Sequence, residues 1–275
     1  DVYKRQDVQQ RGCQSRKTGR TAGPWWLMLT VDIGNSRIKW VLWKDGRITG
    51  TGACEYTGNK AVNAFTVFDG LSPQSSIMVA CVAGEAVEHA LRDWMQRHWS
   101  VSPVFLRTTA ELGGVRNAYA NPSQHGVDRW AALIGARQLY REPVCIIDAG
   151  TAITVDLMDA KGRHRGGRIL PGLQMMRDAL LKGTGGIDQT DGEATAFADN
   201  TADAVSSGTL HMLQAALIEI CSSAARLLGN NMKIIITGGM SEQIMSLSGL
   251  PELVHEPDLV MLGLRVAAET TLAGN

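Results

Sequence analysis

Apolar and polar positions along this chain predict strands interleaved with helices, in a plan that the second half repeats. Residues 144–147 (Val-Cys-Ile-Ile) form a short β-branched run that suits a buried strand better than a helix. A turn of small residues, Ala149-Gly150-Thr151, separates it from a second strand, and Asp148 and Asp156 are expected at the far ends of this hairpin. Upstream, the pattern predicts strands through residue 55, a helix-compatible stretch at 59–68 and a strand at 76–82. A helix at 85–99 follows, with Val87, Ala90, Leu91, Trp94 and Met95 on one face, and then a strand at 101–106. The order β-β-β-α-β-α-β over residues 28–106 is an α/β layer arrangement. Asn121-Pro122 marks a turn before a helix at 130–140. Beyond the hairpin come a helix at 173–181, a flexible Gly/Asp/Thr-rich segment at 183–199, a long helix at 200–228, and a strand at 232–237 that runs into Gly238-Gly239.

The hairpin occurs twice. Residues 31–47 can be laid on residues 147–163 at a constant offset, so that Asp32 meets Asp148, Gly34 meets Gly150, Asn35 meets Thr151, Gly46 meets Gly162 and Arg47 meets Arg163. An internal repeat on this scale implies two similar halves facing each other. The halves are expected at residues 28–118 and 119–275, after an N-terminal extension at 1–27.

That extension carries six of the chain's 27 Lys and Arg residues and shows no apolar period. It reads as upstream or non-native sequence, with a basic arm as the alternative, and it lacks the apolar core of a signal peptide. Without it, the remaining residues are mildly acidic, which argues against a general nucleic-acid binder. No stretch is long and apolar enough to suggest a membrane span. Five cysteines, none in a C-x-x-C pair, point to buried thiols in a reducing cytoplasm. The six histidines show no metal-ligand spacing.

A carboxylate beside a Gly-Thr turn offers oxygen ligands to a hard cation and backbone N–H groups to a phosphate; turn chemistry alone is the competing explanation. The Gly pair after residue 237 would let a flat base approach the backbone, unless it is only a strand-to-helix turn. Asp128, at the mouth of the helix expected from residue 130, is either an N-cap or a group in a cleft between the halves. No G-x-x-x-x-G-K-[ST] loop and no G-x-G-x-x-G after a strand occurs, so a P-loop and a dinucleotide fold are unsupported. A G-x-S-x-G elbow is absent as well.

What remains resembles the acetate/sugar kinase, heat-shock chaperone and actin superfamily, in which ATP lies between two ribonuclease-H-like halves. Within it, residues 28–275 resemble the type III pantothenate kinase family and the related Bvg accessory factor proteins. Asp32-Ile33-Gly34-Asn35-Ser36-Arg37-Ile38-Lys39 matches D-x-G-N-T-x-x-K, with Ser for the usual Thr. Gly126-Val127-Asp128-Arg129 matches G-x-D-R, residues 148–156 match D-x-G-T-A-x-T-x-D, and residues 166–172 match G-G-x-I-x-P-G. Asn200-Thr201 with Ala204 and Ser207-Gly208 fits the N-T-x-x-A-[IV]-x-S-G segment.

The resemblance implies an α/β fold of two ribonuclease-H-like halves, each a mixed sheet flanked by helices. It implies ATP-dependent phosphorylation of pantothenate to 4′-phosphopantothenate, the first step of coenzyme A synthesis, by a cytoplasmic homodimer that needs neither nucleic acid nor membrane. ATP would be held by Asp32, Ile33, Gly34, Asn35, Ser36, Arg37, Ile38, Lys39 and Thr151, with Mg²⁺ on Asp32 and a monovalent cation, K⁺ or NH₄⁺, on Asp148. Tyr119, Gly126, Val127, Asp128, Arg129 and Thr201 would bind pantothenate, Thr201 from a dimer mate, and Asp128 would accept the hydroxyl proton. A non-catalytic transcriptional regulator on the same scaffold, or another small-molecule kinase of the superfamily, are the competing readings.

Overall fold

The computed structural model describes residues 27–56 and 61–273; the extension expected at 1–27 lies outside them except for Leu27. Two five-stranded sheets have the same strand order. The first is β3(Arg47–Glu55), β2(Arg37–Lys44), β1(Leu27–Ile33), β4(Ser76–Cys81), β5(Val104–Phe105). The second is β10(His164–Pro171), β9(Ala152–Met158), β8(Val144–Ala149), β11(Lys233–Thr237), β12(Val254–His255). In each, the first three strands run antiparallel and the last two join parallel to the central one. A separate two-stranded ribbon, β6(Glu111–Leu112) with β7(Val115–Arg116), follows the first sheet and was not foreseen in the sequence. Two residues per strand are too few to leave an alternation.

Helices cover both faces of both sheets, which is why the central strands are apolar on both sides. The outer face of the first sheet packs on α1(Glu85–Trp99) and on a 3₁₀ helix, Ala61–Phe68, through Leu29, Val31, Phe65, Phe68, Leu91 and Met95. The outer face of the second packs on α3(Leu173–Gly183), α4(Thr201–Leu228) and α5(Ser241–Met245) through Ile147, Ile236, Leu173, Leu217 and Ile244. Between the sheets lie α2(Val127–Leu139) and α6(Leu259–Ala273), and one continuous core joins Met28, Trp43 and Met78 to Trp130, Ile134 and Leu264 and on to Ile146 and Ile235. The inner helices approach closely because glycines face the crossing. A Cβ on Gly135 would collide with the Leu259 carbonyl, and one on Gly263 with the Ala131 carbonyl.

The duplicated turn at the outer end of each hairpin is the same object twice. Gly46 (φ +74°) leads into β3 and Gly162 (φ +79°) leads into β10, in the left-handed region that favours glycine. Three expectations shift. The strand foreseen at 101–106 shrinks to Val104–Phe105, and the helix foreseen from residue 130 begins at Val127. Asp148 and Asp156 do not sit at the far ends of their hairpin: Asp148 lies beside the turn opposite Thr154, and Asp156 lies within β9 opposite Ile146.

Candidate active site

Asp32 and Asp148 occupy equivalent places, the last turn-ward residues but one of β1 and β8. Each turn is closed by its glycine: the Gly34 N–H donates to the Arg37 carbonyl at 3.0 Å, and the Gly150 N–H to the Ala152 carbonyl at 3.1 Å. Tyr56, which the sequence reading passed over, donates its hydroxyl to the Gly34 carbonyl and pins the first turn from β3's end. The two turns meet, with the Ser36 and Thr151 hydroxyls 2.6 Å apart.

The third carboxylate comes from the start of α2. Gly126 is the N-cap residue, so Asp128 is not the cap but the second residue of the helix. Its Oδ1 accepts the Arg129 N–H at 2.8 Å. The side chain folds back over Gly126, where a Cβ would crowd Oδ1, and this explains the glycine two residues ahead of the Asp. The acids feel one another. Burial, then the charge of Asp128, push the Asp32 carboxyl up to about 7, against the pull of Lys39. Burial and Asp128 push Asp148 up to about 6, and burial also raises Asp128, offset by the Arg129 backbone and guanidinium. Carboxylates whose ionised form is disfavoured first by burial and then by neighbouring charge are suited to a bound hard cation, which would offset both.

Gly238 (φ +95°) closes the far side of the second hairpin. A Cβ there would strike the Ala149 carbonyl and the Asp148 carboxylate, so this glycine is needed for packing as well as for a turn. Gly239 faces Arg37 instead, whose Nη1 lies 3.2 Å from a Cβ built there. Arg37 thereby spans from the first hairpin to the Gly pair of the second half.

Behind Asp128 lies a group the histidine spacing hid. Arg129, only 5% exposed, donates Nε to Asp156 Oδ2 at 2.8 Å and Nη2 to Oδ1 at 2.7 Å. Its Nη1 reaches the Tyr119 hydroxyl at 3.2 Å. The rings of Tyr119, His125 and His164 stack, with centroids 4.7 Å and 4.8 Å apart. Burial pushes His125 down to about 4 despite the nearby Asp156. Candidate ligand atoms of His125, Asp156 and His164 all lie within 4.8 Å of one another. They do not make a convincing metal centre, because Arg129 already takes both Asp156 oxygens and near-parallel imidazoles do not aim their lone pairs at one point.

The structure therefore brings Asp32, Gly34, Asn35, Ser36, Arg37 and Lys39 of the first hairpin toward Thr151, Asp148 and Gly126–Arg129 with Tyr119. The side chains of Ile33 and Ile38 are instead buried in the outer core of the first sheet and leave only their backbone to a nucleotide. Thr201 stands apart from them in this chain: it opens α4 beside its N-cap Asn200, on a cavity of about 690 Å³ lined also by Leu180, Ile187, Val205 and Met212.

A profile of the type III pantothenate kinase family matches residues 28–223. A type III pantothenate kinase of Nitrosococcus oceani is 38% identical over 257 residues, covering 89% of this chain and 95% of that protein. One from Alkalilimnicola ehrlichii is 37% identical over 246 residues, covering 88% and 96%. Among solved structures, a Baf-family protein of Campylobacter jejuni superposes with a TM-score of 0.57 at 20% identity, over 89% of this chain and 99% of that one. Component A of the (R)-2-hydroxyglutaryl-CoA dehydratase of Acidaminococcus fermentans gives 0.50 at 12% identity over 91% and 100%, so both likenesses speak to the fold alone. With its paired sheets, its doubled acidic hairpin and relatives matched over nearly their whole length, the chain belongs to the type III pantothenate kinase family.

Proposed function

We propose that the chain transfers the γ-phosphoryl group of ATP to the primary hydroxyl of pantothenate, giving 4′-phosphopantothenate, the first step of coenzyme A synthesis. The observation that carries this reading is the meeting of Asp128 with the two hairpins: a carboxylate on a helix start, within electrostatic reach of Asp32 and Asp148, behind turns joined through Ser36 and Thr151. Phosphoryl transfer needs in-line positioning and charge neutralisation more than covalent chemistry.

ATP lies in the cleft between the halves at 28–118 and 119–275, its phosphates on residues 32–39 and Thr151. Asp32 holds Mg²⁺ and Asp148 holds K⁺ or NH₄⁺; these ions supply charge neutralisation on the phosphates. Tyr119, Gly126, Val127, Asp128 and Arg129 receive pantothenate. Asp128 Oδ1 is engaged by the Arg129 N–H, while Oδ2 has no protein donor among the described residues and is the atom that takes the hydroxyl proton. The raised proton affinity of this carboxylate suits a base. Thr201 reaches the substrate from a second copy of the chain, so the working unit is a homodimer, in the cytoplasm. Among the described residues no helix is long and apolar enough to cross a membrane.

A transcriptional regulator on the same scaffold has only the fold of the Campylobacter protein behind it, whereas the relatives matched over most of their length are named as kinases. The test is ADP release with pantothenate, with and without K⁺. The proposal predicts turnover that depends on pantothenate; ADP release independent of pantothenate contradicts it.

A further inference from the structure

The Arg129–Asp156 pair is more elaborately built than a substrate-binding arginine requires. Arg129 and Asp156 are 5% and 3% exposed, and two parallel N–H···O bonds of 2.7 and 2.8 Å join them in a fork. Asp156 is itself aimed by a second donor, His164 Nε2, at 2.9 Å from Oδ1. The Ala118 N–H reaches His164 Nδ1 at 3.4 Å, so Nδ1 accepts and the ring proton sits on Nε2, facing the carboxylate. Burial alone would raise the Asp156 carboxyl; the hydrogen bonds from His164 and Arg129 outweigh it and hold the group below the usual carboxylate range. Gly167 completes the arrangement, because a Cβ there would strike both Arg129 Nη2 and Asp156 Oδ1. That accounts physically for the second glycine of the Gly166-Gly167 pair. The fork leaves one guanidinium nitrogen, Nη1, and this one meets the Tyr119 hydroxyl.

We propose that Asp156 and His164 are positioning residues for the acceptor half of the site: they fix the Arg129 fork, and through Nη1 the Tyr119 hydroxyl, in the orientation that receives pantothenate. The inference rests on the reading that Arg129 and Tyr119 bind that substrate. Neither Asp156 nor His164 touches it. Their contribution is to remove the rotational freedom of a long side chain before binding, which is how an outer partner sharpens an inner one.

The test is steady-state kinetics of the full chain with each substrate varied in turn, on Asp156→Asn, His164→Phe, His164→Gln and Arg129→Gln. Asp156→Asn and His164→Phe are expected to raise the pantothenate KM about tenfold, the scale of one charge-assisted hydrogen bond, with the ATP KM within about twofold of wild type. His164→Gln, whose amide both donates and accepts as His164 does, is expected to stay near wild type. A purely structural role would lower the active fraction, and so kcat, without moving either KM. Should Asp156→Asn fail to fold, His164→Phe, which keeps the ring stack and its volume, decides alone. An unchanged pantothenate KM in the foldable variants, while Arg129→Gln raises it, overturns the positioning role and leaves the binding reading standing. An unchanged KM in Arg129→Gln overturns both.

Discussion

The hydroxyls of Ser36 and Thr151 lie 2.6 Å apart although the residues are 115 positions apart in the chain. Each belongs to the turn of one repeat, so this bond is where the two copies of the hairpin touch. The second turn is one residue shorter: β9 begins at Ala152, two residues after Gly150, whereas β2 begins at Arg37, three after Gly34. The contact therefore joins Ser36 to Thr151, while the repeat aligns Thr151 with Asn35. On the proposed reading, a triphosphate bound at the turns would meet both hydroxyls. Ser36→Ala and Thr151→Ala should each raise the ATP KM about fivefold, roughly 1 kcal/mol, with less than additive loss in the double variant because the two share one ligand. Strict additivity, or no change in the ATP KM, would separate these hydroxyls from the phosphates.

The crowding of Asp32 makes a prediction about the protein without metal or nucleotide. Its carboxyl is raised from the ordinary 3.8 to about 7, so between those values the folded state binds the proton that the unfolded state releases. Stability from this group is full below the lower value and is lost as pH rises through about 7. Asp32→Asn removes that loss. The variant should melt above wild type at pH 8 by an amount on the order of 1–3 kcal/mol, with the difference closing toward pH 4, and it should not use ATP. A variant melting below wild type at pH 8 contradicts the argument.

Asp148 sits in the second hairpin and need not repeat the Mg²⁺ role proposed for Asp32. At pH 8 it is ionised, its carboxyl being raised only to about 6. Turnover should require K⁺ or NH₄⁺ and fall sharply in Na⁺ alone, and Asp148→Asn should chiefly impair ATP use. Equal rates in K⁺ and Na⁺ would remove the monovalent cation from this residue.

The crossing of α2 and α6 tests the fold itself. Helix propensity alone would favour Ala over Gly by about 1 kcal/mol. At Gly263, however, the added Cβ meets the Ala131 carbonyl, which is backbone and cannot swing aside. Gly263→Ala should lower stability by about 1–3 kcal/mol in urea unfolding, as overpacked cores do. An unchanged or higher midpoint would mean the helices part at no cost.

Much of this is legible in the sequence. The repeat of Asp32 and Gly34 in Asp148 and Gly150 foretold two like sheets, because a strand-turn-strand unit is local and its turn chemistry is written in adjacent residues. Where information is non-local, the sequence is silent. His125 and His164 come together only because β10 and the loop before α2 converge on Asp156, and no spacing along one helix or strand encodes that. The hint available was that His125 precedes Gly126 and His164 lies two residues before Gly166. The N-cap alternative for Asp128 arose because apolar spacing starts the helix at Trp130, whereas Val127–Arg129 already form its first turn. Thr201 belongs to the motif order, yet in a single chain it opens α4 on a separate cavity, and motif order alone carries no information about which residues that cavity faces.

The most direct measurement of the central claim is turnover and melting temperature of Asp128→Asn. Gly126 caps α2, so the substitution removes no cap, and an amide oxygen can still accept the Arg129 N–H. The account predicts a melting temperature within a few degrees of wild type, an ATP affinity that survives, and a turnover lower by on the order of 10²-fold or more. Near-wild-type turnover in a folded Asp128→Asn protein would contradict it, since no other carboxylate at the start of α2 could take the hydroxyl proton.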